Sequence, residues 1–349
     1  EALAVVVETV DSGEASSLPP LDWRGAPKEA VLARLAETGL VGRGGAGFPV
    51  TIKLSPPPAK PIDTLLVNGA ECEPFLTGDH RLMVERAFDL VAGIQISRAI
   101  LGGPAVRVCI EENKPDAIAA VSRELERLEG DVALVPLPVR YPQGSEKQQI
   151  WSATGRKVPR GGLPMDVGCV VENVATLCSI FDAVVKGLPL TERVVTVAGD
   201  SLASAGNFVA PIGTPFNVLL EAAGIKESPL KVVSGGPMMG FAVADTAVAT
   251  LKTVSGILAL GRSPLCTSEP CISCGRCVEA CPMRLSPAEM SQCIEADDLE
   301  GAKELGVRDC FECGCCAWSC PAHRPLVQHF RRAKAGLAAL ASKSAQTKK

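Results

Sequence analysis

The sequence predicts an α/β domain with a parallel sheet, followed by a small strand-rich module and a helical unit built around cysteines. Three observations support this division. Short apolar runs alternate with helical patterns in the first half, the elements become shorter near Arg193, and two dense cysteine runs follow residue 263. Strands that alternate with helices are typical of βαβ units. A chain of 349 residues, 47% of them hydrophobic, is long enough for more than one core.

The α/β domain begins with an amphipathic helix predicted over residues 27–37, which Gly39 is placed to end. A glycine-dense loop follows at once. Buried strands are then predicted over residues 63–68, 105–111 and 132–138, and helices over residues 79–101 and 115–128. A strand-like run at residues 3–9 precedes all these elements. Because the chain opens with Glu1, we expect it to be the remainder of a longer protein.

The strand-rich module has shorter elements. Strands are predicted over residues 193–198, 207–212 and 231–233, with a helix over residues 215–223 that Thr214 caps. Farther on, a helix between the two cysteine runs is predicted to start at Pro287, because Ser286 and Glu289 have the spacing of a capping box.

Two cysteine runs carry the clearest chemistry, because both have the spacing C-x2-C-x2-C-x3-C-P. In this bacterial ferredoxin pattern, three thiolates hold one 4Fe-4S cluster and the fourth cysteine reaches the other cluster. We therefore predict one cluster on Cys271, Cys274, Cys277 and Cys320, and a second on Cys310, Cys313, Cys316 and Cys281. A pair of zinc sites is the alternative, although those usually combine two CxxC hooks or include histidine. Cys315 is out of register and is predicted to be a spare.

Charge and cysteine usage limit the classes of partner and compartment. The net charge of −4 comes from interspersed acids and bases, which argues against nucleic acid because phosphate binding needs a concentrated basic patch. No apolar stretch approaches the roughly 20 residues that span a bilayer. Eight of the fifteen cysteines have metal-ligand spacing, which favours a reducing, cytoplasmic compartment over a secreted disulfide framework.

The glycine-dense loop contains G-x-G-x-x-G at residues 42–47. A Rossmann loop follows a strand and opens a helix, whereas here a helix precedes the loop and Pro49 follows it, so the context is wrong for that motif. The glycines still let backbone N–H groups approach a flat or anionic ligand, with Arg43 and Lys53 supplying positive charge. A plain tight turn is the alternative that the motif alone leaves open.

Polar residues follow two of the predicted strands. Asn68 ends the first strand and Glu71 follows it, and Tyr141 and Glu146 come after the third. Ligands of open α/β sheets bind at the carboxyl ends of strands, so these residues are candidates for a binding site. A solvated loop is the alternative for Glu71. Tyr141 could stack on a ring or merely pack.

Together these segments resemble the Rnf-type ion-translocating ferredoxin:NAD oxidoreductases, and specifically their C subunit, across essentially the whole chain. The resemblance rests on an ordered set: GLVGRGGAGFPVTIKL (39–54), VNGAECEP (67–74), YPQGSEKQ (141–148), VPRGGLPMDVGCVVENV (158–174), SGGPMMG (234–240) and both cysteine runs. Such an ordered set is highly specific. Proteins of this type carry a barrel-sandwich domain before the glycine loop, and the resemblance implies that only its last strand remains here.

The same core is similar to the NADH-binding flavoprotein of respiratory complex I, which binds FMN and NADH. By motif, this implies an FMN loop formed by Gly42, Arg43, Gly44, Gly45, Gly47 and Lys53, with Phe48 near the nicotinamide. It also implies a flavin and nicotinamide pocket lined by Asn68, Glu71, Tyr141, Gly144, Glu146, Asn173 and Thr176. Ala70 and Ser145 stand where complex I has carboxylates.

The resemblance also implies domain boundaries. Residues 1–26 are expected to be the end of the barrel-sandwich domain and a linker, and residues 27–190 the FMN- and NADH-binding α/β domain. Residues 191–262 are expected to form a β-grasp module of the soluble-ligand-binding type, and residues 263–335 a helical, ferredoxin-like domain with two 4Fe-4S clusters. Residues 336–349 are expected to be a flexible tail.

The function implied is that of an NADH-linked subunit of a membrane-bound, ion-translocating oxidoreductase. It would pass electrons between NAD(H), FMN and the two 4Fe-4S clusters, ultimately to or from ferredoxin. The subunit would be peripheral, on the cytoplasmic face of the cell inner membrane, bound to other subunits and without a transmembrane segment of its own. Two alternatives stay open: a cobalamin reductase of propanediol-type microcompartments, and a non-catalytic electron relay with an empty flavin pocket.

Overall fold

The computed structural model describes residues 17–262 and 266–347. The strand-like run at residues 3–9, expected as the end of a barrel-sandwich domain, lies outside these residues. Within the described ranges the chain forms two β-sheets followed by a group of helices. In the same ranges, every helix is too short or too polar to cross a membrane.

The first unit alternates strands with helices, and each predicted strand is present. Its elements are α1 (Lys28–Glu37), α2 (Val50–Lys53), β1 (Thr64–Gly69), α3 (Gly78–Glu85), α4 (Ala87–Ile100), β2 (Ala105–Glu111), α5 (Pro115–Leu125), β3 (Val132–Leu137), α6 (Glu146–Thr154), β4 (Cys169–Asn173) and α7 (Val174–Phe181). A π-helical turn, Asp182–Lys186, extends α7.

The strands of this unit form a parallel sheet in the order β3-β2-β1-β4, which confirms the predicted parallel α/β architecture. Both faces of the sheet are covered. Leu65 and Val67 face the larger core with α1, α4 and α7, while Leu66 packs with Ile150 of α6. Parallel sheets are buried on both faces in this way. β4 was not predicted, because its apolar part is only three residues long before Glu172.

One helix was predicted over residues 79–101, but the chain forms two helices that break at Arg86. The backbone of Arg86 leaves helical geometry (φ −126°, ψ 32°). Its guanidinium pairs with Asp89 and with Asp182, at 2.6 Å each, which ties α4 to the π-helical turn. α4 also packs very closely on α7, since a Cβ on Gly93 would lie 2.0 Å from the carbonyl oxygen of Leu177. The break thus depends on contacts between segments that are distant in sequence.

The second unit contains β5 (Glu192–Ala198), β6 (Gly206–Pro211), α8 (Phe216–Ala222), β7 (Lys231–Ser234), β8 (Phe241–Val243) and β9 (Gly256–Leu260). The strand order is β6-β5-β9-β7-β8, with β5 and β9 parallel and the other pairs antiparallel. β8 and β9 were not predicted. Thr214, expected to cap α8, donates its hydroxyl to the Pro211 carbonyl at 2.8 Å, and Pro215 occupies the cap position.

The C-terminal unit contains α9 (Arg276–Glu279), α10 (Pro287–Glu295), α11 (Leu299–Glu304), α12 (Cys315–Trp318) and α13 (Leu326–Thr347). α10 begins at Pro287 as predicted, but the Ser286 hydroxyl makes no capping hydrogen bond to the residues described. A flexible tail was expected from residue 336, whereas α13 continues to Thr347. Phe330, Ala333 and Leu337 have helical spacing and are buried in the core of this unit, which holds that part of α13 in place.

Candidate functional site

The glycine loop, residues 42–48, is a tight turn between α1 and α2. The backbone N–H of Gly42 donates to the carbonyl of Phe48 at 2.8 Å. Gly45 and Gly47 have φ of +106° and +63°, a region that favours glycine. A Cβ on Gly47 would lie 2.8 Å from Thr253, whereas at Gly45 no described atom lies within 4 Å of the Cβ position. The turn therefore presents open backbone at Gly45, as a cradle for a ligand requires.

Arg43 anchors the loop to α7. Only 5% of the residue is exposed, its backbone N–H donates to Thr176 Oγ1 at 3.0 Å, and its Nη1 donates to Ser179 Oγ at 2.7 Å. Burial lowers the pKa of Arg43, while the negative charge of Asp79 opposes that shift. Arg43 was predicted to supply positive charge to a ligand. Its Nη1 lies against α7, and its Nε has no hydrogen-bond partner among the described residues.

Asn173 joins the start of α7 to α3 and to the glycine loop. Its Oδ1 accepts from the N–H of Ala175 at 2.9 Å, which caps α7, and its Nδ2 donates to Asp79 Oδ2 at 2.6 Å. A Cβ on Gly44 would lie 3.4 Å from the Cβ of Asn173. Asn173 therefore lies beside the loop, and a larger residue at Gly44 would press on it.

Glu71 holds the start of α3. Its two carboxylate oxygens accept from the backbone N–H groups of Asp79 and His80, at 3.0 Å each. Burial, together with the nearby charge of Asp79, raises the pKa of Glu71 to about 7. Glu71 was predicted to line the pocket. In the structure it also positions Asp79, the partner of Asn173.

Asn68 fixes the segment that precedes α6. Its Nδ2 donates to the Gly144 carbonyl at 2.8 Å, and its Oδ1 accepts from the Ala70 N–H and from Gln149 Nε2, both at 3.1 Å. The N–H of Gly144 donates to Cys72 Sγ at 3.3 Å. A Cβ on Gly144 would lie 2.3 Å from the Ala70 carbonyl oxygen, so this close approach requires glycine.

Three charged residues meet at the carboxyl end of the sheet. Lys53 Nζ lies 2.8 Å from Glu146 Oε1, which connects α2 to α6. Glu172 of β4 is 1% exposed, and burial raises its pKa to about 7 against the opposing effect of Lys53. Burial lowers the pKa of Lys53, but the charges of Glu172 and Glu146 outweigh burial and leave it raised. Glu172 escaped prediction, although an acid that directly follows the apolar residues 169–171 was a usable signal.

The eight predicted cluster cysteines surround two hollows in the C-terminal unit. The inner hollow is lined by Cys281, Cys310, Cys313 and Cys316. The outer hollow is lined by Cys271, Cys274, Cys277 and Cys320. Each hollow thus combines three cysteines of one run with the last cysteine of the other. Within residues 17–262 and 266–347, no three His, Cys, Asp or Glu side chains form a group that could hold a single metal ion.

The inner hollow lies at the boundary with the first unit. The hydroxyl of Tyr141 donates to the carbonyl of Cys313 at 2.6 Å. Gln148 Nε2 donates to the carbonyl of Pro282, the residue after Cys281, at 3.3 Å. Burial raises the pKa of Tyr141, so the phenol keeps its proton and remains a donor. A residue predicted for the flavin pocket is therefore in direct contact with a predicted cluster ligand.

The SGGPMMG loop of the second unit lies at the same boundary. Glu73 accepts from the N–H groups of Met238 and Met239, at 3.1 and 2.7 Å. On the other side, Arg331 Nη2 donates to the Met239 carbonyl at 2.9 Å, and a Cβ on Gly314 would lie 2.6 Å from the Met238 carbonyl oxygen. The loop therefore connects the first unit to the cysteine unit beside the inner hollow.

Sequence comparison relates the chain to known proteins. Residues 35–182 match the family model for the Nuo51 FMN-binding domain. The chain is 45% identical to the C subunit of the proton-translocating ferredoxin:NAD(+) oxidoreductase complex of Clostridium ljungdahlii, over 90% of this chain and 69% of that protein. It is 42% and 44% identical to the C subunits of the ion-translocating oxidoreductase complexes of Rhodobacter capsulatus and Pseudomonas aeruginosa. These two matches cover 94% and 91% of this chain but only 64% and 41% of those relatives.

Solved structures share the fold. An NAD+-reducing NiFe-hydrogenase in the H2-reduced state matches with a TM-score of 0.62 at 20% identity, over 88% of this chain and 62% of that chain. The air-oxidised state matches with a TM-score of 0.58 at 23% identity, over 66% of this chain and 46% of that chain. At these identities the likeness concerns architecture alone.

Proposed function

The chain belongs to the family of C subunits of ion-translocating oxidoreductase complexes, and on this basis we propose that it passes electrons between NAD(H), FMN and two 4Fe-4S clusters. The electrons go ultimately to or from ferredoxin, as the name of the Clostridium ljungdahlii relative supports. In this proposal the protein is peripheral, on the cytoplasmic face of the cell membrane, and is bound to other subunits of the complex.

The residues around the glycine loop fit an FMN and nicotinamide site. The family match of residues 35–182 and the open backbone at Gly45 support this assignment. The FMN loop would consist of Gly42, Arg43, Gly44, Gly45, Gly47 and Lys53, with Phe48 near the nicotinamide. The remaining lining would come from Asn68, Glu71, Tyr141, Gly144, Glu146, Asn173 and Thr176.

When bound, FMN exchanges a hydride with NAD(H) and single electrons with iron-sulfur clusters. The chain's own residues orient and hold the site. Asn173 and Glu71 fix the starts of α7 and α3, and Asn68 fixes the segment of Gly144. Lys53 presents a positive charge beside the loop, which suits an electron-rich ring system.

We assign one 4Fe-4S cluster to each hollow. Four thiolates per hollow, three from one run and one from the other, are the donor set that this spacing supplies in ferredoxins. The C-terminal unit is then a ferredoxin-like two-cluster domain. If the strands of the second sheet are numbered 1 to 5 from β5 to β9, their order across the sheet is 2-1-5-3-4. Strands 1 and 5 are neighbours and parallel, which supports the β-grasp assignment.

The contact between Tyr141 and Cys313 is the observation that carries the proposal, because it joins the flavin pocket to the inner hollow. It supports a route in which electrons pass between the flavin and the cluster of the inner hollow, and then between that cluster and the one in the outer hollow.

Anaerobic purification tests this function in three measurements on the same sample. Denaturation should release FMN, iron analysis should account for two clusters, and NADH should bleach the flavin and then produce the EPR signals of reduced clusters. Flavin that NADH does not bleach would refute the NADH-linked function. Clusters without any flavin would instead indicate an electron relay.

A further inference from the structure

Glu172 is a buried acid that the fold does not explain. The residue is 1% exposed, and its Oε1 has no hydrogen-bond partner within the described structure. A buried polar atom without a partner costs stability, so its retention calls for a role. An apolar residue would continue the pattern of Val170 and Val171, which precede it in β4.

The charges around Glu172 suit a group that gains and loses a proton. Lys53 of α2 and Glu146 of α6 are the charged residues that influence it, so one cation faces two carboxylates. Glu146 is paired with Lys53 at 2.8 Å and its side chain is 40% exposed, so water and the ammonium stabilise its charge. Glu172 is shielded from water, and the charge of Lys53 only partly offsets the effect of burial. Its pKa of about 7 reflects this difference and allows either protonation state near neutrality.

Glu172 also lies at the candidate flavin site. It directly precedes Asn173, which lies beside Gly44 of the glycine loop. Lys53, the cation whose charge acts on Glu172, is the last residue of α2 and follows the same loop. Asn173 and Lys53 therefore connect the position of Glu172 to the proposed FMN loop.

We propose that the side-chain carboxylate of Glu172 accepts the proton that is released when NADH is oxidised at this site. Oxidation of one NADH by two one-electron clusters yields NAD+, two reduced clusters and one proton, because a hydride carries two electrons and the clusters take up electrons only. The proton forms an O–H bond at the Glu172 carboxyl and later exchanges with solvent. When electrons run in the opposite direction, the same O–H bond breaks to supply the proton. This inference rests on the proposed function.

Infrared difference spectroscopy of the full chain with its flavin and clusters tests the inference. Spectra of the NADH-reduced minus the oxidised protein, at mildly alkaline pH, should contain the C=O band of a newly protonated carboxyl group, shifted in D2O. Glu172→Gln should abolish that band, whereas the control Glu112→Gln, at an exposed position outside the site, should retain it. Glu172→Asp should retain a band at a shifted position.

Each outcome decides between two conclusions. The inference would be overturned, and the proposed function left intact, if the band persists in Glu172→Gln. The same holds if NADH bleaches the flavin of the wild-type protein but no such band appears. If NADH does not bleach the flavin of the wild-type protein, both the inference and the proposed function are overturned. If Glu172→Gln does not fold, the Asp variant decides, because an unshifted band there means that another carboxyl group takes the proton.

Discussion

The hydroxyl of Tyr141 donates a hydrogen bond of 2.6 Å to the backbone carbonyl of Cys313, a residue 172 positions away in the chain. Tyr141 belongs to the proposed flavin and nicotinamide pocket, and Cys313 lines the inner hollow. This single contact joins the two halves of the proposed electron path, so its loss should affect transfer between them more than chemistry within either.

Tyr141→Phe should slow reduction of the inner cluster several-fold while NADH still bleaches the flavin at the wild-type rate. The variant removes one hydrogen bond, whose net contribution to stability is about 1 kcal/mol, and loosens the junction. Stopped-flow absorbance after mixing with NADH separates the two phases. Thr154→Val is the control, because it removes a hydroxyl bond within α6, to Ile150, away from the junction. Equal cluster rates in all three proteins would contradict this role of Tyr141.

Glu73→Ala should release the SGGPMMG loop. Both carboxylate oxygens of Glu73 accept backbone N–H groups, so truncation leaves two donors without partners at about 1–3 kcal/mol each where they stay buried. We expect faster hydrogen exchange at the amides of Met238 and Met239, measured by mass spectrometry. Glu73→Gln retains one acceptor and should show a smaller change. The exposed Glu112→Ala should leave exchange at these amides unaltered, and a similar increase there would mean that the effect is not specific.

Cys281→Ala should remove a ligand from the inner hollow rather than from the cluster of its own run. We expect iron content to fall by about half and the EPR signal of the cluster held by Cys310, Cys313 and Cys316 to disappear. Cys293→Ala and Cys315→Ala serve as controls, since neither cysteine lines a hollow among the described residues. Iron content that is unchanged in Cys281→Ala would refute the crossed ligand scheme.

Gly45→Ala should cost flavin binding far more than it costs folding. Gly45 has φ +106°, and the described structure has no atom within 4 Å of the Cβ position, so the added methyl fills the proposed cradle. Strain from the positive φ should lower stability by about 1 kcal/mol. Gly102→Ala is a matched control, because its φ of +87° and open surroundings are similar but it lies in the turn after α4. FMN content after gel filtration should drop in Gly45→Ala alone; equal retention would place the flavin elsewhere.

The stability of the chain should fall between about pH 4.5 and pH 7 because of Glu172. Its folded pKa of about 7 exceeds the ordinary value of 4.5, so across this interval the unfolded chain loses the proton while the folded chain keeps it. Linkage makes the loss about 1.4 kcal/mol per pH unit, or roughly 3 kcal/mol in total, and adds nothing further above pH 7. Glu172→Gln should lack this contribution and keep the similar one from Glu71, whose pKa is also raised to about 7.

Thermal unfolding followed by calorimetry, at several pH values in this interval, checks the prediction. The melting temperature of Glu172→Gln relative to wild type should rise with pH and then level off. Glu112→Gln, at an exposed position, should follow wild type throughout. Parallel curves for wild type and Glu172→Gln would show that Glu172 titrates normally.

Much of the fold was predictable because local patterns carry it. β1 and β2 are buried on both faces, so their sequences are continuous apolar runs. The spacing of apolar residues in α1 and α5 indicated the buried face of each helix. β4 was missed because Glu172 and Asn173 end its apolar run early, and the break at Arg86 was missed because the ion pairs that accompany it come from Asp89 and the distant Asp182. Helical spacing at Phe330, Ala333 and Leu337 was available in the sequence, but the boundaries implied by the resemblance placed a flexible tail from residue 336.

The sequence by itself predicted the grouping of the cysteines into two sets of four and the position of the glycine loop, because both depend on spacing within short segments. Only the tertiary structure decided that Arg43 is anchored against α7, that Glu172 faces Lys53 and Glu146, and that Tyr141 reaches Cys313. Those relationships join segments separated by roughly 30 to 170 positions, and no period or spacing along the chain records which distant side chains the folding of a sheet will bring together.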